Sequence, residues 1–111
     1  MTICRALDVV VGLFPFIDTP QRKPRPLLVI STSEFNLAHD QLVGAMITTG
    51  RDSQWPSDVP INDLEEAGLR HPSVIRMKMF TLPRFVIATR IGALSAGDGL
   101  RLQASVRQTL V

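Results

Sequence analysis

With 111 residues, 45% of them apolar, the chain can bury a core of its own, which excludes a disordered chain; the length matches the commonest size of a single domain, here residues 1–111. Only 5% of the residues are aromatic, so that core must be aliphatic. The formal charge is just +2, and with no Tyr and one Cys that small excess carries the pI to about 9.3; attraction to a polyanion must come from local clustering, not from a global field.

The N-terminal run MTICRALDVVVGLFPF is interrupted by Asp8 and closed by Pro15, without a small-residue cleavage site, so it does not read as a signal peptide. No stretch approaches the roughly 18 apolar residues that span a bilayer. Cys4 is the one cysteine, which excludes an internal disulfide and fits a reducing compartment. A cytoplasmic protein without membrane contact is expected. Strand one is predicted from Asp8 to about Phe14. The loop IDTPQRKPR follows, carrying Arg22, Lys23 and Arg25 among Pro20, Pro24 and Pro26, a stiffened cationic element suited to meeting an anion. Strand two is predicted from about Leu27 to Ser31, a turn-rich piece over STSEFNLAHDQ, and strand three from Leu42 to Thr48.

GRDSQWPSD, with Gly50, Pro56 and Ser57, reads as an exposed loop, and Val59-Pro60-Ile61 as a short edge strand. Asn62 and Glu65 resemble a capping box for a one- or two-turn helix over Asp63 to Ala67, with Gly68 as its left-handed terminator. Ser73 to Phe80 and Phe85 to Leu94 read as further strands. Ser95 and Asp98 form a second capping pair, and Leu102, Val106 and Leu110 recur at helical spacing, predicting a helix from Ser95 to Leu110. Five or six short strands, a short middle helix and a C-terminal helix suggest a mainly β fold built as a small barrel.

The common catalytic sets are missing: no GxSxG, no P-loop, no HExxH and no CxxC. No metal and no cofactor is expected. His39 and His71 could in principle act as an acid–base pair, although surface imidazoles are commoner; capping or solvation accounts for Asp58 and Asp63. Two features rise above this background. Arg25 sits between two prolines at the entry to strand two, and Thr48-Thr49 ends strand three before a Gly-led loop. Composition alone leaves open that the Arg is merely solvated and the threonines merely β-formers.

The ordered set DVVVGLFPFID, RPLLVIS, MITT, WPSDVPI, GLRHPSVIRM and RIGALS, followed by the terminal helix, resembles the MazF/PemK toxins of bacterial type II toxin–antitoxin pairs over nearly the whole chain. The resemblance implies an SH3-like small β-barrel, usually dimeric, that cleaves single-stranded RNA without a metal and is neutralised by a cognate antitoxin protein. The family's active Arg and Thr fall on Arg25 and Thr48. A guanidinium offers paired donors to phosphoryl oxygens, and a hydroxyl adds a hydrogen bond to the developing oxyanion. Arg22, Lys23, Thr49, Arg51, Trp55 and Arg76 are the implied RNA contacts, with two alternatives open: Arg76 pairs with a nearby acid, and Trp55 packs at the barrel mouth or the dimer interface. The sequence departs from the family at three places. Leu7 stands where Gly is common, Met46 where Pro is frequent, and Met77, Lys78 and Met79 follow Arg76 where many relatives have an Asp, in some of them a suggested general base. A non-enzymatic, CcdB-like gyrase inhibitor and a catalytically degenerate binding module are the alternatives.

Overall fold

Six antiparallel strands form one sheet in the computed structural model, which describes residues 4–13, 24–50 and 55–111. The strands are β1 (Asp8–Leu13), β2 (Pro24–Val29), β3 (Gln41–Thr49), β4 (Val59–Pro60), β5 (Ser73–Pro83) and β6 (Ile87–Ala93), in the spatial order β4-β5-β3-β2-β1-β6. Three helices join them: α1 (Ser33–His39), α2 (Leu64–Ala67) and α3 (Ala96–Thr109). The period-two alternation of the strands sorts their side chains onto two faces. Val9, Leu28, Ala45, Ile47 and Ile75 pack with Leu102 of α3 in one aliphatic cluster; Val10, Leu27, Val29, Leu42 and Leu82 pack with Cys4 in another.

The mainly β reading holds, but among the described residues the sheet does not close into a ladder-bonded barrel: β4 and β6 remain its edges. Helix α2 covers β6 at very short range. A Cβ at Gly68, whose φ is +77°, would lie 2.1 Å from the carbonyl oxygen of Ile91, and one at Gly92 would lie 2.4 Å from that of Glu66. Pro60 occupies an edge strand, where a missing N–H is tolerated.

Several boundaries differ from expectation. β2 starts at Pro24, so Arg25 belongs to a strand and not to a loop. The piece read as turns contains α1, started by Thr32, whose hydroxyl accepts from the Phe35 N–H at 3.2 Å. Buried Asn36 ties that helix down: its amide donates to the Cys4 carbonyl at 2.9 Å, and its carbonyl oxygen accepts from the Ser31 hydroxyl at 2.5 Å. The N-cap of α2 is Asp63, accepting from Glu66, with Gly68 as the left-handed terminator as expected. A 3-10 turn, Arg84–Val86, replaces the start of the last predicted strand. Ser95 caps α3 as expected, and Leu102 and Val106 face the core, while Leu110 ends outside it at 51% exposure.

Leu7 adopts φ 74°, the left-handed region, between backbone bonds to Val29 (2.7 Å) and from Leu94 (2.9 Å). That conformation suits glycine; for Leu it costs about 1 kcal/mol. Packing of its side chain on the main cluster offsets part of that strain.

Candidate functional site

The register of the sheet gathers three sequence-predicted residues onto one face. β2 pairs with β3 through Leu27↔Met46, Leu28↔Ala45 and Val29↔Gly44. The ladder stops there, but two residues further along each strand Arg25 and Thr48 fall on the side of the sheet that Leu27 and Met46 share. Thr48 pairs in turn with Val74, and Met46 with Arg76, on β5. Residues paired across strands point to the same side, and diagonal neighbours lie roughly 7–8 Å apart, within reach of an arginine. Arg25, Thr48 and Arg76 therefore share a face, spread over three adjacent strands.

Both members of the first pair are half-buried and available. Among the described residues the Arg25 guanidinium has no hydrogen-bond or ion-pair partner. Among the described residues the Thr48 hydroxyl makes only a 3.5 Å contact to the Thr49 carbonyl, at the limit for a hydrogen bond, so it can turn toward a ligand. Thr49 is exposed beside it.

Arg76 is engaged differently. Its Nε donates to Asp58 Oδ1 at 3.1 Å and its Nη2 to Oδ2 at 2.9 Å, a two-pronged fork. The Asp58 side chain is wholly enclosed, while 17% of the Arg76 side chain stays accessible. The hydrogen bonds from Arg76 to Asp58, only partly offset by burial, hold the guanidinium pKa above its ordinary value. The Trp55 ring lies over the same cation, 5.1 Å from its central carbon. Asp58 is thus an enclosed ion-pair partner of Arg76, a correction to its reading as a capping or solvated residue. The β4–β5 register would have found it: Val59↔Ile75, extended by one residue, opposes Asp58 to Arg76. The sequence left open that Arg76 pairs with a nearby acid; without the pairing of a two-residue strand it could not say which one.

Arg22, Lys23 and Arg51 lie outside the described residues. His39 and His71 are both exposed, near opposite ends of β3, roughly 25 Å apart by strand rise, which rules out a shared acid–base role. A separate cavity of about 670 Å³ opens between β1, the 3-10 turn and β6, lined by Cys4, Asp8, Arg84 and Arg90 among others; of the sequence-predicted site residues that are described, none lines it. Among the described residues no three His, Cys, Asp or Glu side chains gather where a metal could be held, and no helix is long and apolar enough to cross a membrane.

Comparison with solved structures finds the same fold at low identity. MazF from Deinococcus radiodurans is 18% identical, with a TM-score of 0.77 over 98% of this chain and 97% of that one. The Mycobacterium tuberculosis toxin MazF-mt6 is 23% identical, with a TM-score of 0.71 over 91% and 93%. A mycobacterial endoribonuclease solved in complex with its cognate antitoxin is 15% identical, with a TM-score of 0.73 over 95% and 92%. No curated protein matches in sequence. The sequence profile of one family does, across residues 5–110, and by that match the chain belongs to the PemK-like, MazF-like toxins of type II toxin–antitoxin systems.

Proposed function

We propose that the protein is a growth-inhibiting endoribonuclease that cuts single-stranded RNA in the cytoplasm as a homodimer and is held inactive by a cognate antitoxin. Family membership supports the class of activity, and the fold-neighbour described as an endoribonuclease with its antitoxin supports the kind of partner. The observation that supports the chemistry is that Arg25 and Thr48 lie two residues beyond the paired Leu27↔Met46 on the same side of the sheet. In the reaction the ribose 2′-oxygen forms a bond to the adjacent phosphorus while the bond from phosphorus to the 5′-oxygen breaks. The 2′-OH proton leaves to water and the 5′-oxygen takes one up. Negative charge grows on the phosphoryl oxygens, where Arg25 supplies a fixed positive charge and paired donors, and Thr48 a further hydrogen bond. Asp58, enclosed and with both oxygens on Arg76, is not placed to take the 2′-OH proton. Rate enhancement is therefore assigned to charge stabilisation, with Thr49, Trp55 and Arg76, together with Arg22, Lys23 and Arg51, holding the strand by phosphate contact and base stacking.

The test is cleavage of a long single-stranded RNA by purified protein in EDTA, followed by mapping of the cut ends. Arg25→Ala and Thr48→Ala should each slow cleavage by roughly a hundredfold or more, the usual cost of losing one donor to a developing oxyanion. Full activity in both variants would remove the assignment. Intact RNA with stabilised gyrase–DNA cleavage complexes would replace it with gyrase inhibition, and intact RNA that is still bound would point to a binding module.

A further inference from the structure

A buried carboxylate paired with an arginine adds little net stability, because desolvating both ions offsets most of their attraction. What such a pair does fix is direction. Asp58 fixes it twice: its carboxylate forks Arg76, and the same Oδ2 accepts from the Trp55 backbone N–H at 3.3 Å, while the Asp58 N–H returns to the Trp55 carbonyl at 3.0 Å. One side chain therefore sets both halves of the cation–π pair. A guanidinium presents five N–H donors in one plane, and the fork uses one edge of it. The donors on the Nη1 side remain for a ligand, and Trp55 keeps 40% of its surface open.

We infer that Asp58 is a positioning residue for RNA: it holds Arg76 beside Thr48 to receive a backbone phosphate, and Trp55 beside Arg76 to receive an unpaired base. The inference rests on the ribonuclease reading above and adds to it a residue from the β3–β4 connection. Charge and position make opposite demands here. Removing a carboxylate near a polyanion raises affinity, so if Asp58 acted only through its charge, Asp58→Asn would bind RNA more tightly and cut at least as fast. A positioning role requires the cutting rate to fall in spite of that gain, because a small misplacement of a phosphate-binding cation costs roughly ten- to a hundredfold.

The experiment measures two quantities in EDTA for the wild type, Asp58→Asn, Asp58→Glu, Arg76→Lys, Arg76→Ala and the double variant Asp58→Asn/Arg76→Ala. One is the cleavage rate at saturating single-stranded RNA. The other is quenching of Trp55 fluorescence by the same RNA in an Arg25→Ala background, read before its slowed cleavage proceeds; the chain has one Trp, so the signal is local. The expected result is a fall of tenfold or more in rate for Asp58→Asn with reduced quenching, partial recovery in Asp58→Glu, and no further loss in the double variant beyond Arg76→Ala. Arg76→Lys should behave like Arg76→Ala, because a lysine cannot take the fork; this arm decides the matter even where Asp58→Asn fails to fold. A wild-type rate in Asp58→Asn, full rescue by Arg76→Lys, or multiplicative losses in the double variant would overturn the inference. A wild type that binds and quenches but never cuts would remove the ribonuclease reading alone, leaving quenching to judge the role of Asp58. A wild type that neither binds nor cuts would overturn both.

Discussion

Asp98 holds the C-terminal helix to the rest of the molecule, and its removal has a calculable cost. It sits three residues after the N-cap Ser95, where a capping box would turn its carboxylate back on the Ser95 N–H. Instead, only half of that box forms: the Asp98 N–H donates to the Ser95 hydroxyl at 3.1 Å, while the carboxylate reaches across to the chain before α2. It accepts from the Asn62 N–H at 3.1 Å to each oxygen, from the Asp63 N–H at 3.0 Å, and from Arg101, which also donates to the Pro60 carbonyl at 2.9 Å. Only 2% of Asp98 is exposed. Burial by itself would push its carboxyl pKa up, but the N–H groups of Asp63 and Asn62 and the Arg101 guanidinium outweigh it and hold the pKa below the ordinary value.

Asp98→Ala removes two charge-assisted hydrogen bonds to backbone donors, worth about 1.5–3 kcal/mol each when fully buried. Residues 62 and 63 are exposed, so water recovers part of each, and about 1 kcal/mol per bond is a fairer figure. The favourable placement of a carboxylate in the first turn of α3 adds about 0.5 kcal/mol. The Arg101 pair, 40% exposed on the arginine side, adds at most a further 1 kcal/mol. The total is about 2–4 kcal/mol, or a fall in Tm of roughly 8–16 °C at this chain length. Thermal melting by circular dichroism, at one protein concentration because a dimer's Tm depends on it, reads this directly. Asp98→Asn, which keeps one acceptor, should lose about half as much. The pH dependence follows from the direction of the shift: with the folded pKa below the unfolded value of about 3.9, the stabilisation is complete above that value and is lost as pH falls through the folded pKa. The gap between wild type and Asp98→Asn should stay constant from about pH 5 to 8 and narrow below about pH 4. A melt of Asp98→Ala within 2 °C of wild type, or a gap that widens in acid, would refute the reasoning.

Two further outcomes follow from the packing. Gly68→Ala should destabilise by about 2–4 kcal/mol in urea unfolding, since it combines an unfavourable positive φ with a Cβ 2.1 Å from a backbone oxygen that cannot swing away; a change under 1 kcal/mol would mean that α2 lifts off β6 freely. Cys4 is buried, and burial followed by the nearby Asp8 charge, partly offset by Arg84, raises its thiol pKa, so a disulfide reagent at pH 8 should modify it only as fast as the chain opens. Rapid labelling of the native protein would show that the N-terminal segment is open to solvent.

The strands and the last helix were legible because their signals are local. Val9 with Val10 and Leu27-Leu28-Val29 are buried on both faces, and Ser95 with Leu102 and Val106 starts and orients α3 without help from elsewhere. Helix α1 was illegible for a physical reason. Its face toward the protein is anchored by polar Asn36, bonded to Cys4 and Ser31, so apolar periodicity is absent while Phe35 and Leu37 point outward. Asp98 was half legible: the spacing to Ser95 marked a cap, but its carboxylate serves residues 35 and 36 positions away, a pairing only the tertiary fold creates. Asp58 was hidden in the same way, because its partner Arg76 becomes a neighbour only through a ladder of two residues.

The prolines around Arg25 have a more specific role than stiffening a loop. β2 is an interior strand, where a proline removes a ladder donor and is ordinarily excluded. Its pairing with β1 runs all the way to Leu13↔Pro24, whereas its pairing with β3 begins only at Leu27, one residue past Pro26. Over Pro24–Pro26 the strand therefore behaves as an edge facing β3. β3, for its part, continues to Thr49 with its pairing supplied from the other side by β5. Arg25 and Thr48 are each held by an outer neighbour, β1 for one and β5 for the other, while no ladder bonds join them to each other. If the proposed chemistry holds, an arginine and a threonine on two separately braced strands, on the same side of an unzipped stretch of sheet, would be preorganised donors for charge developing on a bound phosphate. Donating residues at 24 and 26 should let β2 zip onto β3 and close that stretch, so replacing Pro24 and Pro26 together should slow RNA cleavage in the assay proposed above while Arg25 and Thr48 are both retained.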